Sequence, residues 1–505
     1  MNTNDNSIII IGAGFAGLSA GIYAQMNGYK TRIFELHDKP GGLCTSWKRN
    51  GFTIDGCIHW LVGSSPESGM YEYWKEVGLA QGREFIYPDE YMRFEGSDGR
   101  NLIIYTDIDR LQKHLIEFSP QDEDTIYEFI RGIRLALNFD QPSKNTPFFK
   151  RLSMLARLLY TMTVHGKKLQ KWMKTTSADF AGRFRDPILR QAFMEMWIPE
   201  FSMFFMLFMF SYMHKKNAGY PLGGSLPMSE ALEARYRSLG GIINYGKRVE
   251  KILIENDKAT GIRLSEGSEF HASRVISAAD GHSTIFKMLD GIYTDEKIRE
   301  TYEKWPRFPS IILAGFGINR TFSDVPVSVS GFSFKLERPV VIGDKTTEWL
   351  PVRIYNQDPS LAPAGKTVLS VLLDSDYEYW NKLSEDREAY NRKKEETAKQ
   401  LVGLLELRFP GIGSQVEMIN IATPKTFERY TGNWNGCFEG WLVTPQNSNV
   451  MMKPMSQTLP GLHNFHMCGQ WVEPGGGLPT GVMSARRLLK SICKEDGKKF
   501  TTKVP

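Results

Sequence analysis

The stretch SIIIIGAGFAG, residues 7–17, decides the fold. It opens with one serine and four isoleucines, a β-branched run that is typical of a strand buried on both faces. The glycines that follow predict a tight turn, and the apolar spacing from Leu18 to Gly28 predicts a helix. A second strand pattern, Thr31 to Glu35, completes a strand–helix–strand unit.

The glycines of this turn have the spacing G-x-G-x-x-G of a dinucleotide-binding loop. Gly12 permits the tight turn, Gly14 lets the backbone approach a pyrophosphate, and Gly17 lets helix and strand pack closely. The start of the helix adds free N–H groups that bind phosphate. Glu35, which ends the second strand, can accept hydrogen bonds from ribose hydroxyls. The unit therefore predicts a Rossmann-type dinucleotide site.

Length, charge and cysteine spacing exclude several other classes of protein. A chain of 505 residues predicts at least two domains, and a net charge of +5 does not favour nucleic acid as a partner. The five cysteines contain no C-x-x-C pair, so we expect no metal and no disulfide scaffold. Residues 1–7 are polar and carry Asp5, which indicates no signal peptide and a cytoplasmic protein. The longest apolar stretch, Phe201 to Met213, is too short to span a bilayer.

The middle of the chain, residues 102–215, has helical patterns, with a polar connection at Asp140 to Pro147. Arg151 to Lys174 alternates apolar and basic residues, which suits either an interfacial membrane helix or a solvated helix face. The Phe and Met cluster at Phe201 to Phe210 suits either a buried core helix or the wall of a tunnel for a long apolar substrate. Both pairs of alternatives remain open from the sequence.

Later segments return to strand patterns and end in a second glycine-rich turn. Segments 248–254 and 259–264 together predict a hairpin. Further strands are predicted at 274–278, 311–318, 340–342 and 367–373. A charged helix is expected from Glu385 to Leu407. Pro474 to Gly481 is glycine-rich and precedes a predicted helix from Val482 to Ile492. A strand, a glycine turn and a helix thus recur at the far end of the chain.

Four blocks in this order resemble one family. They are the glycine loop with Glu35 and Gly41–Gly42, the block Pro221-x-Gly223–Gly224 with Gly240–Gly241 and Val249, the block Val275 to Asp280, and the block Cys468–Gly469 with Pro474 to Gly481. Together they resemble the FAD-dependent phytoene desaturase and retinol saturase family, within the wider amine oxidase-like superfamily. The resemblance runs from end to end and is more specific for the FAD fold than for the reaction.

The resemblance implies an α/β protein of glutathione reductase-like or amine oxidase-like architecture that binds FAD. Its discontinuous Rossmann-type FAD-binding domain would be accompanied by a second, α+β substrate-binding domain. We expect residues 1–90, 216–300 and 441–505 to form the FAD-binding domain. A mostly helical part, 91–215, and a sheet and helix, 301–440, would form the substrate domain.

The same resemblance implies which residues contact FAD. The glycine loop would hold the pyrophosphate, Glu35 the adenosine ribose, the Val249 backbone the adenine, and the segment from Gly477 to Val482 the isoalloxazine. The predicted cofactor-binding residues are Gly12, Gly14, Phe15, Ala16, Gly17, Glu35, Leu36, Gly41, Gly42, Leu43, Val249, Gly469, Gly477, Pro479, Thr480, Gly481 and Val482.

Two further residues are candidates for chemistry near the flavin. Phe52 to Gly63 resembles the segment that passes close to the ring in retinol saturase-like proteins, although its glycines are shifted. His59 in this segment is a candidate catalytic proton donor or acceptor, or a packed, hydrogen-bonded histidine. Cys437 is interpreted as a small residue in a loop facing the flavin, in preference to a covalent flavin link.

Three functions are compatible with these features. The preferred one is hydride transfer between FAD N5 and a long apolar polyene or isoprenoid-type substrate, as a desaturase, saturase or isomerase. The second is an amine oxidase-like enzyme, in which Trp434 and Trp441 would form an aromatic cage. The third is a non-enzymatic prenyl-binding relative. The expected partners are a hydrophobic substrate, a peripheral membrane contact, and oxygen, a quinone or a carrier protein as electron acceptor.

Overall fold

The computed structural model describes residues 6–139, 146–451 and 453–505. Its strands are β1 (Ser7–Ile11), β2 (Lys30–Phe34), β3 (Ser46–Arg49), β4 (Phe52–Asp55), β5 (Leu61–Val62), β6 (Phe85–Ile86), β7 (Glu90–Glu95), β8 (Asn101–Tyr105), β9 (Ala218–Pro221), β10 (Ile242–Asn244), β11 (Val249–Glu255), β12 (Lys258–Leu264), β13 (Glu269–His271), β14 (Arg274–Ser277), β15 (Ile311–Ile318), β16 (Phe332–Ile342), β17 (Lys345–Ile354), β18 (Thr367–Asp374), β19 (Val416–Ala422) and β20 (Phe465–Met467).

The α-helices are α1 (Phe15–Met26), α2 (Tyr71–Glu76), α3 (Ile108–Phe118), α4 (Glu123–Ala136), α5 (Phe148–Lys174), α6 (Ser177–Ala181), α7 (Pro187–Glu195), α8 (Met203–His214), α9 (Ser225–Ser238), α10 (Glu296–Lys304), α11 (Tyr377–Leu383), α12 (Arg387–Arg408), α13 (Pro424–Thr431) and α14 (Leu478–Glu495).

A five-stranded parallel sheet carries the N-terminal unit. Its strand order is β10-β2-β1-β14-β20, and each neighbouring pair is parallel. The central strand β1 is buried on both faces, as its isoleucines predict. Helix α1 crosses from β1 to β2, and α14 packs beside it after β20. Strands that are distant in sequence therefore build one Rossmann-type layer, with β11, β12 and β13 as a separate antiparallel sheet.

A seven-stranded sheet of order β19-β15-β18-β17-β16-β7-β8 forms the centre of the second unit. Its pairings are antiparallel except that of β16 with β7. Helices α3 to α8 pack against the β7 and β8 end of the sheet in one hydrophobic cluster. The molecule thus combines a parallel α/β layer with a largely antiparallel α+β layer, which confirms the predicted fold class.

Most of the predicted elements agree with the structure, and one boundary is wrong. The hairpin of β11 and β12 and the charged helix α12 agree with the predicted segments to within a few residues. Residues 101–105, however, pair with β7 as strand β8, so the helical region begins at Ile108. The predicted polar connection at residues 140–147 lies almost wholly outside the described residues.

Helix α8 contributes to the core and also to the wall of a cavity. Met203, Met206 and Phe210 are fully buried in the core. Phe205 and Phe208 lie on the wall of a large cavity, because a helix presents residues about 100° apart to different surroundings. Within the described ranges, no helix is both long and apolar enough to cross a membrane.

The closest backbone approach in the N-terminal unit is at Gly17. A Cβ at this position would lie 2.0 Å from the carbonyl oxygen of Gly12 and 3.2 Å from the Ala278 side chain. Glycine is therefore required at position 17 by packing between the turn and α1, in addition to any ligand contact.

We expect Gly17→Ala to lower the free energy of unfolding by about 1–3 kcal/mol, because the methyl group collides with backbone that cannot rotate away. Gly166 in α5 has no atom within 4 Å of its notional Cβ. Gly166→Ala should therefore stabilise the protein, by about 0.5–1 kcal/mol. The free energy of unfolding of both variants is measured by chemical denaturation. Equal changes in the two variants would contradict the packing argument.

Candidate functional site

One cavity of about 1580 Å³ joins the two layers. One end is bounded by the glycine-rich loops after β1, β2 and β20, and the other by aromatic and methionine side chains of α8 and its neighbours. A polar, backbone-lined region and an apolar chamber are therefore parts of the same space.

The first loop has the form of a phosphate-binding turn. Gly12 has a φ of +96°, and its N–H donates to the carbonyl of Phe34 at 2.8 Å. Gly14 caps α1 without any side-chain cap, so the first N–H groups of the helix have no intrahelical partner. Gly12, Gly14, Phe15 and Ala16 all line the cavity. Unpaired N–H groups at a helix start form a ready site for a phosphate group.

Glu35 lies just beyond β2 on the wall of the same cavity. Its carboxylate accepts hydrogen bonds from the N–H groups of Ala13 at 2.6 Å and His37 at 2.8 Å. Burial raises the pKa of Glu35, and these backbone donors lower it in part. The carboxylate is thus fixed against the glycine turn, and Leu36 lines the cavity beside it.

The second glycine pair closes on the first loop. The N–H of Gly41 donates to the carbonyl of Ala13 at 2.9 Å. Gly41 has a φ of +111°, and a Cβ there would lie 2.2 Å from the carbonyl oxygen of Cys44. Gly41, Gly42 and Leu43 line the cavity. Glycine is required here by both the backbone angle and the space.

The C-terminal loop completes this end of the cavity. Gly469, Gly477, Pro479, Thr480 and Gly481 line it, together with Val249 at the start of β11. The predicted cofactor residues therefore converge from segments more than 400 residues apart. Two of them do not line the cavity: Gly17 packs against the turn, and Val482 is fully buried in the core.

His59 also lies on the cavity wall. Its Nδ1 is 3.4 Å from the hydroxyl oxygen of Ser330. Burial and the nearby Arg353 guanidinium hold its pKa well below the ordinary value, so the imidazole is neutral at neutral pH. A neutral imidazole can donate or accept one hydrogen bond at each nitrogen, and its side chain is available to whatever enters the cavity.

The apolar chamber is built from stacked rings. Trp60 stacks on Trp197 at 6.1 Å between ring centroids, and Phe201 stacks on Phe205 at 4.5 Å. Met194, Met209 and further rings complete the wall: Tyr91, Phe139, Phe204, Phe208, Tyr212 and Phe308. Flat rings and unbranched thioethers give this part of the wall a largely apolar, adaptable surface.

Sequence reasoning missed three residues of the wall. Arg353 is only 4% exposed, and its Nη1 donates to the carbonyl of Ile58 at 2.9 Å. Glu439 accepts a hydrogen bond from the N–H of Gly477 at 2.9 Å, and burial raises its pKa to about 7. Cys57 also lines the cavity. Arg353 lies in a strand without a recognisable spacing, whereas Cys57 and Glu439 lie in or beside segments expected near the flavin, where sequence reasoning singled out His59 and Cys437 instead.

Three residues considered from the sequence lie elsewhere. Trp434 stacks on His282 at 4.3 Å between centroids, and Trp441 is fully buried with its indole N–H donating to the Trp471 carbonyl. Neither ring is part of the cavity wall. Cys437 is buried behind the wall and does not line it. In the described part of the chain, no group of three or more His, Cys, Asp or Glu side chains is arranged to hold a metal ion.

These loops and this cavity define a flavoprotein fold, and comparisons with known proteins give its family. The family model described as "Flavin containing amine oxidoreductase" matches residues 15–488, so the chain belongs to the family of flavin containing amine oxidoreductases. FAD is its cofactor.

Among curated proteins, the chain is 25% identical to a chloroplastic prolycopene isomerase of Daucus carota, over 96% of this chain and 80% of that protein. It is also 25% identical to a 4,4'-diapophytoene desaturase (4,4'-diapolycopene-forming) of Methylomonas sp, over 98% and 97% of the two chains. Among solved structures, cyclohexylamine oxidase from Brevibacterium oxydans has a TM-score of 0.60 at 14% identity, and the match covers 98% of this chain and 100% of that chain. That likeness shows the shared fold alone.

The residues present fit FAD. A Cβ at Gly14 would meet only the Gly41 carbonyl oxygen, at 3.8 Å, so this backbone is open toward the cavity. The unpaired N–H groups of α1 and α14 and the fixed Glu35 carboxylate supply donors for phosphate and an acceptor for hydroxyl groups.

Gly14→Trp should abolish retention of FAD, because the indole would occupy the space in front of the α1 N–H groups. Flavin occupancy is measured from the visible absorption of the purified protein. Ile242→Trp, which places an indole at an exposed position of the same sheet, is the matched control and should keep its flavin. Normal occupancy in Gly14→Trp would contradict the N-terminal assignment.

The raised pKa of Glu439 predicts a pH-dependent loss of stability. Below about pH 4.5 the carboxyl is protonated in both the folded and the unfolded chain, so it carries no penalty. Between about pH 4.5 and 7 only the unfolded chain ionises, and the folded state loses up to about 3 kcal/mol. Glu439→Gln should lack this loss in flavin-free protein. The prediction would be refuted if the free energy of unfolding changed with pH in the same way in wild type and in Glu439→Gln.

Proposed function

We propose that this protein is an FAD-dependent oxidoreductase that transfers a hydride between the flavin and carbon atoms of a long polyene or isoprenoid-type substrate. Desaturation, saturation and isomerisation are the candidate outcomes. The observation that carries the proposal is the single cavity that runs from the glycine loops into a chamber of stacked rings. The names of the curated relatives, a prolycopene isomerase and a diapophytoene desaturase, support the substrate class.

The proposed roles of the cofactor-binding residues follow from their backbone. The α1 N–H groups behind Gly14 would bind the pyrophosphate, Glu35 the ribose hydroxyls, and the start of α14 at Gly477 the negative charge that reduction of the flavin creates. FAD, when bound, supplies the two-electron chemistry at carbon.

The chain's own side chains orient the substrate and exclude water. Rings such as Trp60, Trp197 and Phe205 would hold a conjugated or branched chain by dispersion contacts. His59 would hold one proton at a ring nitrogen, as a neutral hydrogen-bonding group beside Arg353. We propose it as the acid–base candidate of this site.

An anaerobic screen tests the function. Flavin in the holoprotein is photoreduced and mixed with polyene and isoprenoid lipids, and oxidised flavin is mixed with the same lipids and with a panel of amines. We expect the flavin spectrum to respond to the apolar compounds and not to the amines. Reduction by amines without any response to lipids would establish the amine oxidase alternative. Purified protein without a flavin band would favour the non-enzymatic prenyl-binding alternative.

We also propose the domain division 1–90, 216–300 and 441–505 for FAD, and 91–215 and 301–440 for substrate. It is supported by the parallel sheet, which takes its strands from the first set of segments, and by the seven-stranded sheet, which takes its strands from the second. The boundaries within loops and the expected cytoplasmic location stay predictions.

Helix α5 is the proposed contact with a membrane surface. Phe148, Leu152, Leu155, Leu159 and Met162 recur at helical spacing and are between 47% and 72% exposed. The same helix carries exposed basic residues, with Arg151 beside the stripe and Arg157, Lys167 and Lys168 on its other sides. An apolar stripe on a basic helix suits the interface of an anionic bilayer, from which an apolar substrate would also enter.

Leu152→Glu combined with Leu159→Glu should reduce co-sedimentation with phosphatidylcholine/phosphatidylglycerol vesicles at least tenfold, because two charges would enter the apolar boundary. Leu407→Glu replaces an equally exposed leucine on α12 and is the matched control. Wild-type binding should weaken as salt rises. Unchanged sedimentation of the double variant would exclude α5 as the contact.

A further inference from the structure

Two cysteines oppose each other at the open end of the β3–β4 hairpin. The hairpin register pairs Ser46 with Asp55, and the N–H of Gly56 donates to the carbonyl of Thr45 at 3.0 Å. Cys44 and Cys57 are the next residues on the two sides, just beyond the last paired residues, and Cys44 there turns toward the second glycine pair, its N–H donating to the Gly41 carbonyl at 3.0 Å. Directly opposed residues of an antiparallel pair have Cβ atoms about 4.5–5.5 Å apart, and these two cysteines follow such a pair. A disulfide requires Cβ atoms only slightly closer than this.

Contacts between the side chains agree with the register. A hydrogen bond with Cys44 is the largest cause of the raised pKa of Cys57, ahead of burial and the charges of Asp55 and Glu439. Cys44 is 2% exposed, and its Sγ donates to the carbonyl of Ser225 at 3.7 Å. The Cys44 side chain thus acts directly on Cys57, and each of the two is a thiol in this structure.

The pair lies in the wall of the candidate FAD cavity. Both cysteines line it, as do the second glycine pair and His59. Cys57 has an exposed surface although it lies deep in the molecule, because that surface faces the cavity. Cys493 and Cys437, in contrast, are buried outside the wall.

We propose that Cys44 and Cys57 form a reversible disulfide in the cavity wall and exchange its electron pair with bound FAD. The exchange rests on the proposed function, since it needs the flavin in this cavity. In the oxidising direction two S–H bonds break and one S–S bond forms. Two electrons and two protons pass to the oxidised flavin, so atoms and charge balance. The reverse step reduces the disulfide with the electron pair of reduced flavin.

Side chains near the two cysteines can accept and return the thiol protons. The raised pKa keeps Cys57 a thiol at neutral pH, so a base must take its proton as the S–S bond forms. Glu439, whose charge acts on Cys57, has a carboxyl that titrates at about pH 7 and is suited to this transfer. Arg83 acts electrostatically on Cys44, and Arg353 on Asp55. A charge of each sign thus lies near the pair.

Thiol counting tests the disulfide. The full chain is equilibrated in oxidised and then reduced dithiothreitol, unfolded in N-ethylmaleimide and weighed. Wild type has five cysteines and should take up three labels when oxidised and five when reduced, with one peptide cross-link between Cys44 and Cys57. Cys57→Ser should take up four labels in both states, whereas Cys493→Ser, the matched control, should take up two when oxidised and four when reduced. Five labels on oxidised wild type, or a cross-link to another cysteine, would overturn the proposal.

Anaerobic titration with dithionite tests the exchange with flavin, without any substrate. Wild-type holoprotein should consume two electron pairs per FAD, and Cys57→Ser or Cys57→Ala only one. One pair per FAD in disulfide-containing wild type would refute the exchange. A protein that binds no FAD contradicts the proposed function itself, and the thiol count on that protein still decides whether the disulfide forms.

Discussion

The first turn of α1 is the contact on which the rest of the site depends. A Cβ at Gly469 would lie 3.1 Å from the Ala16 side chain, and one at Gly481 would lie 3.2 Å from the Ala16 backbone nitrogen. The start of the chain and its last helix therefore meet with almost no space between backbones. This approach places the first turns of both helices on the wall of one cavity, where a phosphate or a reduced flavin could use their free N–H groups.

The same close packing explains why one cavity has two chemical characters. Backbone donors dominate where glycines let three loops meet, and side chains dominate where α8 passes the seven-stranded sheet. Helix α8 can serve as both core and wall because Met203, Met206 and Phe210 lie on one side, in the core, and Phe205, Phe208 and Met209 lie on the side that faces the cavity. A flavin at the boundary would touch polar backbone on one side and a dry, aromatic chamber on the other.

How much of the structure the sequence predicts depends on how far apart in sequence the interacting residues lie. The G-x-G-x-x-G loop, Glu35 and the terminal glycine block were predictable, because local spacing fixes local backbone shape. Strand β8 was missed, since its pairing with β7 is a tertiary contact that overrides a helical pattern. Arg353, Glu439 and Cys57 carry no motif, and their burial and charge exist only when separate strands and loops enclose the cavity.

The sequence alone therefore determined the Rossmann-type unit, because it follows from spacings within short segments, and the resemblance to a family added the expectation that FAD binds there. Only the tertiary structure decided which face of the Phe and Met cluster meets the cavity, and that Trp434 and Trp441 do not. It also brought Cys44 beside Cys57. The reason is physical: an apolar or sulfur side chain has no chemical role until the fold determines whether it faces the core, the solvent or a ligand.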